Sequence, residues 1–201
     1  MSALAAEQQR RVLDGAVHLF SERKLDSITL DQLTRTSGVP AFDIVRHYQS
    51  KENIVAAVLE RELELIAGAA HEPELRFPGE TMRDELQMLA KMMLQGCRAR
   101  LPLLARLLEE SMHNPSFGAL FYRTFIKQGR LLFTEFLNVR RNLGELRRDL
   151  DVEAAAAMFL ASLLGILLMA ELFGGKHVEQ IDDDRIVREL SDAFLQGVTK
   201  R

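Results

Sequence analysis

The chain holds one cysteine, no tryptophan, five prolines and twelve glycines among its 201 residues. A lone Cys97 leaves no intrachain disulfide framework and nothing that suggests an oxidising compartment. So little glycine and proline argues against a loop-rich or all-β chain, and no stretch alternates polar and apolar residues as a half-buried strand does. No internal repeat is visible either. Positive charge is not in excess: 26 Lys+Arg stand against 29 Asp+Glu, for a formal net charge of -3. That balance excludes a grossly basic nucleic-acid coat and, taken alone, leans against any nucleic-acid partner. The first residues, Met1-Ser-Ala-Leu-Ala-Ala-Glu7, lack the basic-then-apolar layout of a secretory leader, so a cytoplasmic chain is expected. Ala154 to Ala170 carries no charge, but it falls short of the roughly 20 apolar residues a spanning helix needs and lacks basic flanks. A buried helix, rather than a membrane span, is expected there.

What is present is helical periodicity almost throughout. Val12, Leu13, Ala16, Val17, Leu19 and Phe20 recur at the three-and-four spacing of one helix face. Thr29-Leu-Asp-Gln32 reads as a capping box opening a short second helix, with Leu30 and Leu33 facing inward and Gly38 ending it. Pro40 suits the first turn of a third helix that runs to about Tyr48. Ser50 caps a longer fourth helix, about 51–71, and His71 to Gly79 reads as a linker. Further helices are expected over about Thr81 to Arg100, Pro102 to Met112 and Ser116 to Arg141. A turn at Asn142 to Glu145, the alanine-rich helix, Gly174-Gly175 and a last helix bearing Ile186, Val187, Leu190, Phe194 and Leu195 complete the chain.

Three short helices turning at Gly38-Val39-Pro40 form a helix-turn-helix pattern, in which the second helix of the pair enters the major groove. The residues that carry it, Arg11 to Glu22, then Thr29, Leu33, Ser37-Gly-Val39 and His47-Tyr-Gln-Ser-Lys-Glu52, resemble the N-terminal domain of TetR-family transcriptional regulators. The resemblance covers roughly the first 60 residues without a gap; beyond them only length, helicity and a Gly-Glu-Leu-Arg-Arg-Asp-Leu-Asp turn agree. It implies a DNA-binding domain over 1–52 and a helical ligand-binding and dimerisation domain over 53–201.

Physical roles follow residue by residue. Thr29 and Ser50 stand at helix N-termini, which favour a phosphate, and Lys51 adds a point charge beside the second. Pro40, Ala41, Phe42, Arg46 and His47 are the candidates to face the groove, and Tyr48 is expected to set its ring on Ile44 with the hydroxyl outward. Arg46 suits guanine O6/N7, and Phe42 or Ala41 a thymine methyl. The chain also departs from the family. Val45 stands where a tyrosine is usual, Lys24 replaces a glycine, and Thr34 replaces the small alanine where the paired helices pack. Phe42 and Asp43 replace a small residue and a threonine. Residues 1–50 contain six basic and six acidic side chains, so indiscriminate DNA affinity is expected to be weak.

The second domain collects methionines and phenylalanines, most of them core. The resemblance implies an inducer pocket in this region, and Met88, Met92, Leu107, Phe121 and Phe125 are the candidate walls, apolar and adaptable. Ala157, Ala161 and Gly165 recur every four residues as a small-residue ridge; with Phe194 on the last helix they are the expected dimer interface. Enzyme readings lack their parts. Glu110-Ser-Met-His113 has the Glu-x-x-His spacing of di-iron bundles without a second pair, and no phosphate-cradling glycine loop or nucleophile elbow is present. No metal site and no cofactor are expected. The reading is therefore an all-α, homodimeric, ligand-responsive bacterial repressor, released from a palindromic operator by a small apolar or amphipathic effector, with no membrane partner. The alternative is a helical binding module whose DNA head is degenerate.

Overall fold

A computed structural model describes residues 5–67 and 81–200. The expected 71–79 linker and the end of the fourth helix lie outside the described residues. Helices in chain order are α1 (Ala6–Glu22), α2 (Leu30–Ser37), α3 (Ala41–Tyr48), α4 (Lys51–Ala67), α5 (Met82–Ala99), α6 (Leu101–His113), α7 (Pro115–Phe121), α8 (Lys127–Asn142), α9 (Val152–Leu167) and α10 (Asp183–Val198). Among the described residues there is no strand; the one isolated bridge joins Leu146 to Thr199. The chain is all-α.

Two compact units emerge from the contacts. The first comprises Met1–Glu64 with Arg100–Ile126, the second Leu65–Ala99 with Lys127–Arg201. In the first, the α1 stripe of Val12, Ala16, Leu19 and Phe20 is buried, as its spacing predicts. Ile44 of α3 and Val58 and Leu59 of α4 close the same core, joined by Leu103 and Leu107 of α6. Gly15 lets α1 approach α2: a Cβ there would stand 3.3 Å from the Ser37 amide nitrogen. Leu33 is buried as expected, but Leu30 is 37% exposed. It is the first residue of an eight-residue helix, and the α1 contact runs along the Leu33 and Ser37 face.

One acid breaks the apolar pattern of α4. Glu62 is only 4% exposed. Its carboxylate accepts from Arg61 at 3.0 Å and from Arg100 at 2.5 Å, while Arg61 reaches Asp14 of α1 at 2.8 Å. A buried carboxylate is tolerable only when paired in this way.

The second unit is built on a phenylalanine cluster and an ionic seam. Phe159 lies 4.9 Å from both Phe133 and Phe194 between ring centroids. Antiparallel α5 and α10 are laced by Arg83–Asp192, Lys91–Asp184 at 2.7 Å and Arg98–Asp183 at 2.5 Å. Arg98 also reaches Glu171 at 2.6 Å. These bonds hold the Asp183 carboxyl below the usual aspartate range, chiefly through Arg98, and that of Glu171 below its own, chiefly through Lys176.

Two helical runs differ from expectation. The predicted Ser116 to Arg141 helix is interrupted by a π-helical turn over Tyr122–Ile126. The alanine-rich helix continues through a second such turn, Leu168–Leu172. By length and composition Val152–Leu172 is able to cross a membrane, with mean hydropathy 2.1, yet only 33% of its window is buried. The buried-helix expectation therefore holds for one face alone. Val152, Ala156, Phe159 and Leu163 point into the core; Ala157, Met158, Ala161 and Met169 are exposed.

Candidate nucleic-acid interface

The expected site lies within the first unit, on α3 and the ends of the helices beside it. Thr29 caps α2 with a complete capping box: its hydroxyl accepts from the Gln32 amide at 3.3 Å, and Gln32 Oε1 accepts from the Thr29 amide at 2.9 Å. Gly38 ends α2 at φ 64°, the left-handed conformation that suits glycine. Arg11 donates to the Gly38 carbonyl at 2.7 Å and so pins the turn to α1.

Val39 and Ile44 are fully buried, and they anchor α3 by one face. The opposite face is open: Pro40, Phe42, Val45 and Arg46 are exposed, with Ala41 and His47 half-buried. Asp43, an acid of the wrong sign for a phosphate, is the third residue of α3, where the positive end of the helix dipole favours it. Tyr48 is 7% exposed, and burial pushes its phenol above the ordinary tyrosine value. Its ring meets His47 edge-on at 4.6 Å.

The junction to α4 was not legible beforehand. Gln49 takes φ 66°, and the Ser50 amide donates back to the Tyr48 carbonyl at 2.7 Å, a strained three-residue turn. Asn53 then braces the exit, its side chain donating to the same carbonyl at 2.7 Å. Ser50 caps α4 as expected, accepting from the Asn53 amide at 3.2 Å. Glu52 adds a carboxylate at this N-terminus: bonds from its own amide and from the Ser50 hydroxyl hold it below the usual glutamate range. Lys51 has a task inside the fold. Its ammonium donates to the carbonyls of Leu25 and, at 3.1 Å, Ile28, tying α4 to the 3-10 turn before α2.

The remaining candidates are distributed between the units. Leu107 and Phe121 are buried in the core of the first, with Phe125 stacked on Phe121 at 5.5 Å. Met88 and Met92 are half-buried on α5 in the second. Ala157 and Ala161 are exposed on α9, and a Cβ on Gly165 would meet nothing within 4 Å. Phe194 is half-buried against the phenylalanine cluster. Among the described residues no three His, Cys, Asp or Glu side chains are placed to share a metal ion. His113 turns its ring nitrogen to the Glu109 carbonyl at 2.8 Å.

Comparison with known proteins agrees with this architecture. Residues 84–197 match the profile of the AefR-like transcriptional repressor C-terminal domain. No curated protein matches in sequence. Among solved structures, a Mesorhizobium loti protein described as a TetR-family transcriptional regulator superposes with TM-score 0.77 at 17% identity, over 99% of this chain and 100% of that one. Salmonella enterica GusR superposes with TM-score 0.75 at 20% identity, over 97% and 100%. The flavonoid-responsive regulator FrrA gives TM-score 0.75 at 22% identity, over 98% and 100%. With more than half its length under that profile, on a helix-turn-helix scaffold, the chain belongs to the TetR family of transcriptional regulators.

Proposed function

We propose that the chain is a homodimeric repressor that reads a pseudo-palindromic operator with α3 and lets go when a small apolar or amphipathic effector binds. The single observation behind the DNA reading is the open face of α3, with Phe42, Val45 and Arg46 in solvent while Ile44 and Tyr48 lock the other face into the core. Arg46 supplies the forked donor that guanine O6/N7 requires, and Thr29, Ser50 and their helix N-termini supply phosphate contacts on either side. On this reading residues 1–52 are the DNA-binding domain and 53–201 carry effector binding and dimerisation.

A twofold partner suits the uncovered face of α9. Ala157, Ala161 and Gly165 make a low ridge flanked by exposed Met158 and Met169, and the face carries no charge. A second copy placing the same ridge against it removes this surface from water and presents two reading heads at once. The effector class is supported by relatives of the same fold such as a flavonoid-responsive regulator and a Bacillus halodurans fatty acid degradation regulator.

Fluorescence anisotropy with promoter DNA of the adjoining genes tests the reading. Sequence-specific binding at low salt is expected, and its absence would sink it. One observation favours the second reading, a binding module with a degenerate head: the six-against-six charge balance of residues 1–50. A salt titration separates the two. A working head gives a measurable slope of log affinity against log salt, and a degenerate one gives none.

A further inference from the structure

The reading face of α3 is unusual in being apolar where it is most exposed. Phe42 is 72% exposed and Val45 49%. They are three residues apart, hence neighbours on one side of the helix, and Ala41 continues the patch toward the N-terminus. Arg46, four residues after Phe42, follows on the same side. Leaving a phenylalanine in water costs stability that folding elsewhere must offset. Neither side chain belongs to the core of the first unit, whereas Ile44 and Tyr48 of the same helix do. The face thus holds a contiguous apolar edge next to a guanidinium, on an eight-residue helix with both ends fixed by Gly38 and Gln49.

In the major groove an apolar edge has one natural counterpart. Of the four bases only thymine presents a carbon substituent there, its 5-methyl group; the other groove-edge groups are hydrogen-bond donors or acceptors. Phenylalanine and valine offer no hydrogen bond, so they gain nothing from an amino or keto group and leave it desolvated without a partner. Resting on the DNA-binding reading above, we infer that Phe42 and Val45 select thymine through its 5-methyl group, beside the base pair that Arg46 addresses. The specificity is one of shape and dryness, with discrimination against cytosine arising partly from the unpaired amino group it would bury.

The test uses the full chain and a duplex library with a randomised core. Bound duplexes are selected, and the best sequence is then remade with uracil in place of thymine at one position at a time. Uracil keeps every hydrogen-bonding group and removes only the methyl. The expected result is a roughly fourfold loss of affinity at one or two positions per half-site, the size of one buried methyl, and little change elsewhere. In Phe42→Ala the penalty at the position beneath Phe42 should shrink toward onefold, which a purely structural role for Phe42 would not produce. Phe42→Leu should keep most of it. Phe42 stands outside the core, so these variants are expected to fold, and circular dichroism checks that they do. A selected sequence whose affinity is unmoved by uracil everywhere would overturn the inference while leaving the DNA reading intact. A library from which nothing is enriched would overturn both.

Discussion

Two regions of the molecule leave apolar side chains in water, and they do so differently. On α3 the exposed Phe42 and Val45 are interleaved with Asp43, Arg46 and His47. On α9 and its continuation Met158 and Met169 are exposed along a run that carries no charge from Ala154 to Ala170, and Leu172 and Phe173 follow beyond Glu171. Charge beside an apolar patch suits a partner that is itself charged, such as a phosphodiester duplex with methyl groups in its groove. A charge-free face about one helix long suits a surface like itself, because any polar partner would lose its hydration there without compensation. Both patches are apolar, yet their neighbours point to different occupants.

The strongest way to break this contrast is a charge on the α9 ridge. Ala161→Arg should weaken self-association by about a hundredfold or more, since two arginines would meet across the twofold, while the first unit keeps its fold. Sedimentation against concentration measures it, and an unchanged assembly would contradict the proposed interface. Next in size is the ionic cluster that ties α4 to α1 and to the start of α6. Glu62→Ala removes the carboxylate shared by Arg61 and Arg100 and should cost about 3 kcal/mol in denaturant unfolding. The loss should fall on the first unit, with near-ultraviolet signals of the second unit's phenylalanine cluster retained.

Acid titration sharpens the comparison from the other side. Asp183 and Glu171 have lowered carboxyl values in the folded chain, so they bind fewer protons folded than unfolded. Their contribution is complete above the unfolded carboxyl range near pH ~4 and disappears as pH falls through the lower folded values. Arg98→Ala should cost about 2 kcal/mol at neutral pH and flatten the Asp183 part of that acid loss while the Lys176–Glu171 part stays, seen as a smaller difference between melting curves at pH 7 and pH 3. The smallest effect belongs to α2 itself. Thr34 buries a hydroxyl oxygen that has no hydrogen-bond partner. Thr34→Ala should therefore stabilise the chain by about 0.5–1 kcal/mol, read from the denaturant midpoint.

Much of this fold was legible because helices announce themselves locally. The capping box at Thr29, the left-handed glycine at 38 and the Ser50 cap all lie where their residue types demand. Leu30 misled because spacing on so short a helix leaves its first residue ambiguous. Residues whose role depends on a distant partner were harder to read. The ammonium of Lys51 meets carbonyls more than twenty residues away, and no local pattern marks that. Glu62 did carry a signal, since it falls in the α4 stripe of Val58, Leu59 and Ile66 where an acid is out of place. Its two arginines, one adjacent and one on the approach to α6, explain why it is tolerated. The π-helical turns and the left-handed Gln49 had no compositional mark at all.

The turn at Gln49 has a mechanical meaning. The path from α1 to α2 runs through seven residues, Arg23 to Thr29, and includes a 3-10 turn. Between α3 and α4 only Gln49 and Ser50 intervene, and both are held by short backbone and side-chain bonds. A stiff two-residue joint behaves as an elbow with no play. Tilting α4 by about 10° swings the far end of the roughly 12 Å α3 by about 2 Å. A displacement of that size is enough to lift a side chain off a base edge, so the register of the proposed reading helix is only as steady as the helix that follows it.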